Sequence, residues 1–136
     1  MKKKFLFIFG VFFFSITLLS EYSNDIKIKS DTIEFIKESN KINFLNNVEI
    51  DSDFVKIIAE SAIYDDTNSV ISLEGRPSLI KSNKKDNTFD GKAEKILFFN
   101  DQKVHLIGNA SMQYENISIS SNLIVFNPQT GKISSD

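Results

Sequence analysis

Residues 28–50, IKSDTIEFIKESNKINFLNNVEI, lie without a gap over residues 57–79, IIAESAIYDDTNSVISLEGRPSL, after a shift of 29 positions. Ile28 falls on Ile57, Ser30 on Ala59, Asp31 on Glu60, Phe35 on Tyr64, Ile42 on Ile71, Phe44 on Leu73 and Asn46 on Gly75. The unit returns as Ala93, Glu94, Ile96, Phe98, Val104, Leu106 and Gly108, and in shortened form as Ile119, Ser121, Asn122, Ile124, Phe126 and Ile133. A period of about 30 residues marks stacked supersecondary units, each burying its apolar face on the next. Such a chain fits a binding or scaffolding role better than an enzymatic one.

Inside each copy apolar and polar residues alternate, as in Ile26/Ile28, Ile42/Phe44, Val48/Ile50, Val104/Leu106 and Ile124/Phe126. Period two, with Ile, Val, Phe and Tyr prominent, predicts strands with one buried face. Polar clusters at Lys37–Lys41, Asp65–Ser69, Asn100–Lys103 and Asn127–Gly131 recur at one phase of the repeat and predict hairpin turns. Lys81 to Asn87 reads as a solvated loop between the first pair of units and the second. Asn46, Gly75 and Gly108 share one repeat position, where residues tolerant of positive φ predict a corner in the chain.

The chain opens with Met1-Lys2-Lys3-Lys4 and an uncharged run of 15 residues from Phe5 to Leu19. Charge followed by a short apolar stretch is the pattern of an export signal, and a membrane-spanning helix needs roughly 20 residues. Residues 1–20 are therefore expected to be a signal peptide and residues 21–136 a single β domain. Leu18 and Ser20 form a poor cleavage site, which keeps open a retained anchor. With no cysteine, the domain rests on packing rather than on disulfides. Without the three leader lysines, 13 basic residues face 18 acidic ones, a formal charge of −5. That balance argues against nucleic acid as a partner.

Catalytic constellations find little support. His105 is the one histidine, and alternation turns it away from the face shared by Val104 and Leu106, so a metal centre lacks converging ligands. Glu49, Asp51, Asp53 and the pair Asp65-Asp66 follow no calcium-loop spacing and read as solvated acids. No nucleophile elbow accompanies the many serines. The apolar stripe fits either a closed sandwich core or a groove open at its ends.

Six blocks in order carry a resemblance: Asp25-Ile-Lys-Ile-Lys-Ser-Asp31, Asn47-Val48-Glu49-Ile50, Ile57-Ile58-Ala59-Glu60, Glu74-Gly75-Arg76-Pro77, Asp90-Gly91-Lys92-Ala93 and Leu106-Ile107-Gly108-Asn109-Ala110. From about Ile26 to Ile133 the chain resembles the LptA (OstA-like) family of periplasmic lipopolysaccharide-transport proteins, with Asn46 where the family usually places the glycine of a Gly-Asn-Val block. The resemblance implies an all-β fold, a twisted open β-jellyroll of stacked antiparallel hairpin repeats. It implies a non-catalytic periplasmic carrier without cofactors, which passes lipopolysaccharide from the inner to the outer membrane with its lipid A acyl chains inside the groove. Implied partners are an LptC-like inner-membrane protein, an LptD-like outer-membrane protein and further copies joined head to tail through Asp25–Phe35 and Ile117–Ile133.

On that reading the groove interior comprises Ile26, Ile28, Phe35, Ile42, Phe44, Ile50, Ile57, Leu73, Ile80, Phe98, Leu106, Met112, Ile119 and Phe126, with Ile28 and Ile80 nearest the mouths. Two other functions remain open: an LptC-like component anchored by Phe5–Leu19, and an exported structural or adhesive β-repeat protein.

Overall fold

The computed structural model describes residues 4–17, 25–85 and 88–135. The Leu18–Ser20 cleavage region and Asp86-Asn87 of the expected loop lie outside them. Nine strands follow one another as a meander: β1 (Lys4–Thr17), β2 (Asp25–Ile36), β3 (Lys41–Asp51), β4 (Val55–Asp65), β5 (Val70–Ser82), β6 (Phe89–Phe99), β7 (Val104–Tyr114), β8 (Ile117–Asn127) and β9 (Lys132–Ser135). Every neighbouring pair is antiparallel, and spatial order equals chain order, so the sheet ends in two edges instead of closing into a barrel. β5 runs through Ser82, which shortens the loop expected from Lys81 onward.

Each strand from β2 to β8 is interrupted near its middle. The pairing register slips between Lys29 and Thr32, Leu45 and Val48, Ile58 and Ser61, Glu74 and Ser78, Lys92 and Lys95, and Ile107 and Ala110. A bulge leaves residues unpaired and bends its strand. Because the repeat aligns all these bulges, the sheet folds along one crease into two stacked layers.

The first layer buries Ile33, Phe44, Tyr64, Ile71, Leu73, Ile96, Phe98, Leu106 and Phe126; the second buries Ile26, Ile28, Val48, Ile50, Ile57, Ile80 and Met112; together they form one core. Small residues line the inside of the bend, where two walls converge: Ser30, Ala59, Ser78, Ala93 and Ala110 are all buried there. The Ser30 hydroxyl is satisfied by donating to the Thr32 carbonyl at 3.0 Å.

Outside the crease the repeat sets an acid on β2, β4 and β6 against a donor on the next strand. Asn47 Nδ2 donates to Asp31 at 2.8 Å, Arg76 Nε approaches Glu60 at 3.9 Å, and Asn109 Nδ2 donates to Glu94 at 2.6 Å. Asn46 and Asn47 have φ of 65° and 54°, and Gly108 and Asn109 have 85° and 45°, as the corner requires. Gly75 departs from the expectation: it is not among the positive-φ residues, and its strand turns instead through a cis Arg76–Pro77 bond. Glycine is still needed there, since a Cβ would stand 2.9 Å from the Ser78 nitrogen.

The expected edge at Asp25–Phe35 is also modified. β1 pairs along β2 from Lys4 opposite Ile36 to Thr17 opposite Asp25, so β2 is an inner strand of this sheet.

Candidate functional site

The space between the layers is the feature that the repeat builds. Eleven of the fourteen residues assigned to the interior from sequence are buried in it: Ile26, Ile28, Phe44, Ile50, Ile57, Leu73, Ile80, Phe98, Leu106, Met112 and Phe126. Phe35, Ile42 and Ile119 are half-buried and pack against its margins. Ile28 and Ile80, expected nearest the mouths, are 0% and 2% exposed; the accessible positions are the three at the margins. Ile33, Val48, Val55, Ile71, Ile96, Val104 and Ile124, with Tyr64, Phe89 and the alanines Ala59, Ala62, Ala93 and Ala110, complete the core and were absent from the assigned set, although the alternation includes several of them.

Exposure is graded along the repeat. The equivalent aromatic positions Phe35, Tyr64, Phe98 and Phe126 run from half-buried through 8% to 1% exposed, so the interior opens toward the β2–β3 end. There a hollow of about 520 Å³ is floored by Phe35, Ile42 and Tyr64 and rimmed by Lys37, Lys41 and Asp66. The Tyr64 hydroxyl donates to Asp66 at 3.0 Å. Burial, helped by that bond and by the charge of Asp66, pushes the phenol up to about 12, so it remains a neutral donor at the rim.

At the opposite end β9 covers only Ile124–Asn127 of β8. Ile117–Ser120 of β8 therefore lie beyond the reach of β9 at the sheet edge, with half-buried Ile119 and the 59% exposed Ile117 among them. A further hollow of about 600 Å³ lies on the outer face, walled by Lys56, Ile58, Leu79, Lys81, Asp90 and Lys92. Its lining also takes in Ile80, Met112 and Ile119 from the interior set, so it borders the core where β5 to β8 pass.

His105 is half-buried on the outer face, its ring 4.8 Å from that of Phe99. Among the described residues no three His, Cys, Asp or Glu side chains converge on a metal position. The arrangement offers an apolar interior with polar rims.

An open, creased β-sheet around an apolar interior defines an open β-jellyroll. The family described as "LptA/(LptD N-terminal domain) LPS transport protein" matches residues 27–132, and the chain belongs to it. Its members are non-enzymatic carriers in lipopolysaccharide transport. Among solved structures, the chain is similar to LptH, the LptA-homologous periplasmic component of the lipopolysaccharide transport device from Pseudomonas aeruginosa. The TM-score is 0.71 at 17% identity, over 81% of this chain and 80% of that one. Among curated proteins none matches the sequence.

Proposed function

We propose that the chain is a periplasmic carrier that shields the acyl chains of lipopolysaccharide between its two layers on the way from the inner to the outer membrane. One observation carries the reading: the interior is predominantly apolar and reaches solvent through the hollow at Phe35, Ile42 and Tyr64. Each buried methylene is worth roughly 0.8 kcal/mol, so an acyl chain of about 12 carbons resists transfer through water by on the order of 10 kcal/mol. An apolar interior lowers that barrier without breaking a bond. Lys37 and Lys41 beside the hollow complement an anionic headgroup left outside.

Residues 1–20 serve export on this reading, and their removal frees β2 as an edge. The uncovered half of β8 supplies the other. Strand addition at these edges joins the carrier to LptC-like and LptD-like neighbours and to further copies of itself.

Purified protein lacking residues 1–20 is expected to bind lipopolysaccharide saturably; no saturable binding would overturn the proposal. The uncharged run Phe5–Leu19 favours one second reading, an LptC-like anchored component. Sequencing the mature N-terminus separates the two, because a trimmed chain has no anchor.

A further inference from the structure

Four hairpin turns at one end of the molecule each place a residue in the left-handed region shortly before the next strand: Asn40 (φ 53°), Ser69 (53°), Gln102 (71°) and Gly131 (78°). Asparagine and glycine hold that conformation at little cost, whereas a long side chain such as glutamine holds it under strain. Gln102 differs in a second way. It is 0% exposed, while its counterparts reach solvent.

The buried side chain crosses between the layers. Ser52, in the turn between β3 and β4, belongs to the second layer's rim, and its hydroxyl donates to Gln102 Oε1 at 3.1 Å. Ser52 also lies 3.3 Å from both the carbonyl and the amide nitrogen of Val55, which fixes it in place. The Gln102 Nε2 group is buried and has no partner. A buried amide donor without an acceptor carries a desolvation cost of about 1–3 kcal/mol, and it is held here on a strained backbone. Strain and an unmet donor in one residue call for a functional cause.

The seam opposite the crease is not uniform. Toward β8 it is closed by aromatic packing, Phe89 and Tyr114 against Phe126 with ring centroids 4.5 and 5.9 Å apart. At Ser52 and Gln102 it is closed by a polar bond, and beyond them the hollow at Phe35 is open. Apolar side chains already fill the interior, so an acyl chain enters only if the layers part.

We propose that Ser52 and Gln102 form a clasp on this seam: it releases when an acyl chain is taken up, and the free amide N–H of Gln102 then holds a carbonyl or hydroxyl oxygen near the head of that chain. This rests on the carrier function proposed above and adds the place of opening and a polar contact inside.

The chain has no native cysteine, so S52C/Q102C carries its only two thiols. With these joined by a short, reducible thiol cross-linker, saturable binding of purified lipopolysaccharide is expected to disappear and to return on reduction. Equal binding by the bridged and reduced forms would overturn the clasp. Gln102→Met and Gln102→Gly each remove the amide, the second also relieving the backbone. Either is expected to weaken lipopolysaccharide binding by up to about tenfold, the worth of one hydrogen bond, and wild-type affinity in both would overturn the polar contact. Failure of the wild-type protein itself to bind would reject the carrier function, and this inference with it.

Discussion

Asn109 donates to Glu94 at 2.6 Å across the bend between β6 and β7, in the same repeat position where Asn47 donates to Asp31 at 2.8 Å between β2 and β3. The backbone that presents each asparagine is left-handed for two residues running. This pairing pins the crease from outside while small residues leave room within it.

Gly108 stands directly before Asn109 with φ of 85°, and a Cβ on it would lie 2.6 Å from Glu94 Oε1. Gly108→Val meets both the backbone penalty and the clash, and is expected to destabilise the fold by about 2–4 kcal/mol. Asn46→Gly, at φ 65°, should leave stability unchanged or raise it slightly. Thermal melts of the two variants test the crease; a wild-type melting temperature for Gly108→Val would refute it.

Photo-crosslinkers at Phe35, Ile42 and Ile119 are expected to capture lipopolysaccharide, because these interior residues reach solvent at the two ends. Ile63 is the control: it is as apolar as they are and 43% exposed, but lies on the outer face. Equal capture at Ile63 would show that apolar exposure alone, rather than the interior, attracts the lipid.

Along the uncovered half of β8, successive N–H groups point alternately toward β7 and away from it. Of Ser118→Pro and Ile119→Pro, one therefore removes an outward donor and spares the ladder. That variant should keep its melting temperature while losing association with an LptD-like partner or a second copy in pull-down. If neither variant separates folding from association, the β8 edge is not the joining surface.

His105 supplies a pH signature. Burial against Phe99, with Lys103 nearby, holds its pKa below the ordinary 6.5. As pH falls through 6.5 the unfolded chain takes up a proton before the folded one does, so the His105 contribution is complete above that value. It declines on the way down to the folded pKa. The urea midpoint of wild type should drop further between pH 7.5 and pH 5.5 than that of His105→Phe; parallel drops would place the ring in free solvent.

Much of this architecture was readable because the repeat is local. Each hairpin carries its own alternation and turn residues, and Asn46 and Gly108 announced the corner by their conformational tolerance. The role of Gly75 was not readable, since Arg76–Pro77 makes the turn there by a different route. Nor was the accessible margin: Ile28 and Phe35 share a strand and an apolar character, yet they lie on opposite sides of the bulge in β2, one buried and the other half-buried beside the hollow. Gln102 was hidden most completely. In sequence it belongs to a polar turn like its siblings, and the partner it meets inside, Ser52, lies 50 positions away.

The crease crosses every strand from β2 to β8, so each of them belongs to both layers at once. On the proposed carrier function, a neighbour that contributes one strand of its own at an edge would lengthen roof and floor in a single step, and the two apolar interiors would run together. Passage from molecule to molecule would then need no special portal at the joint, because the hydrocarbon would meet the same cross-section on either side of it.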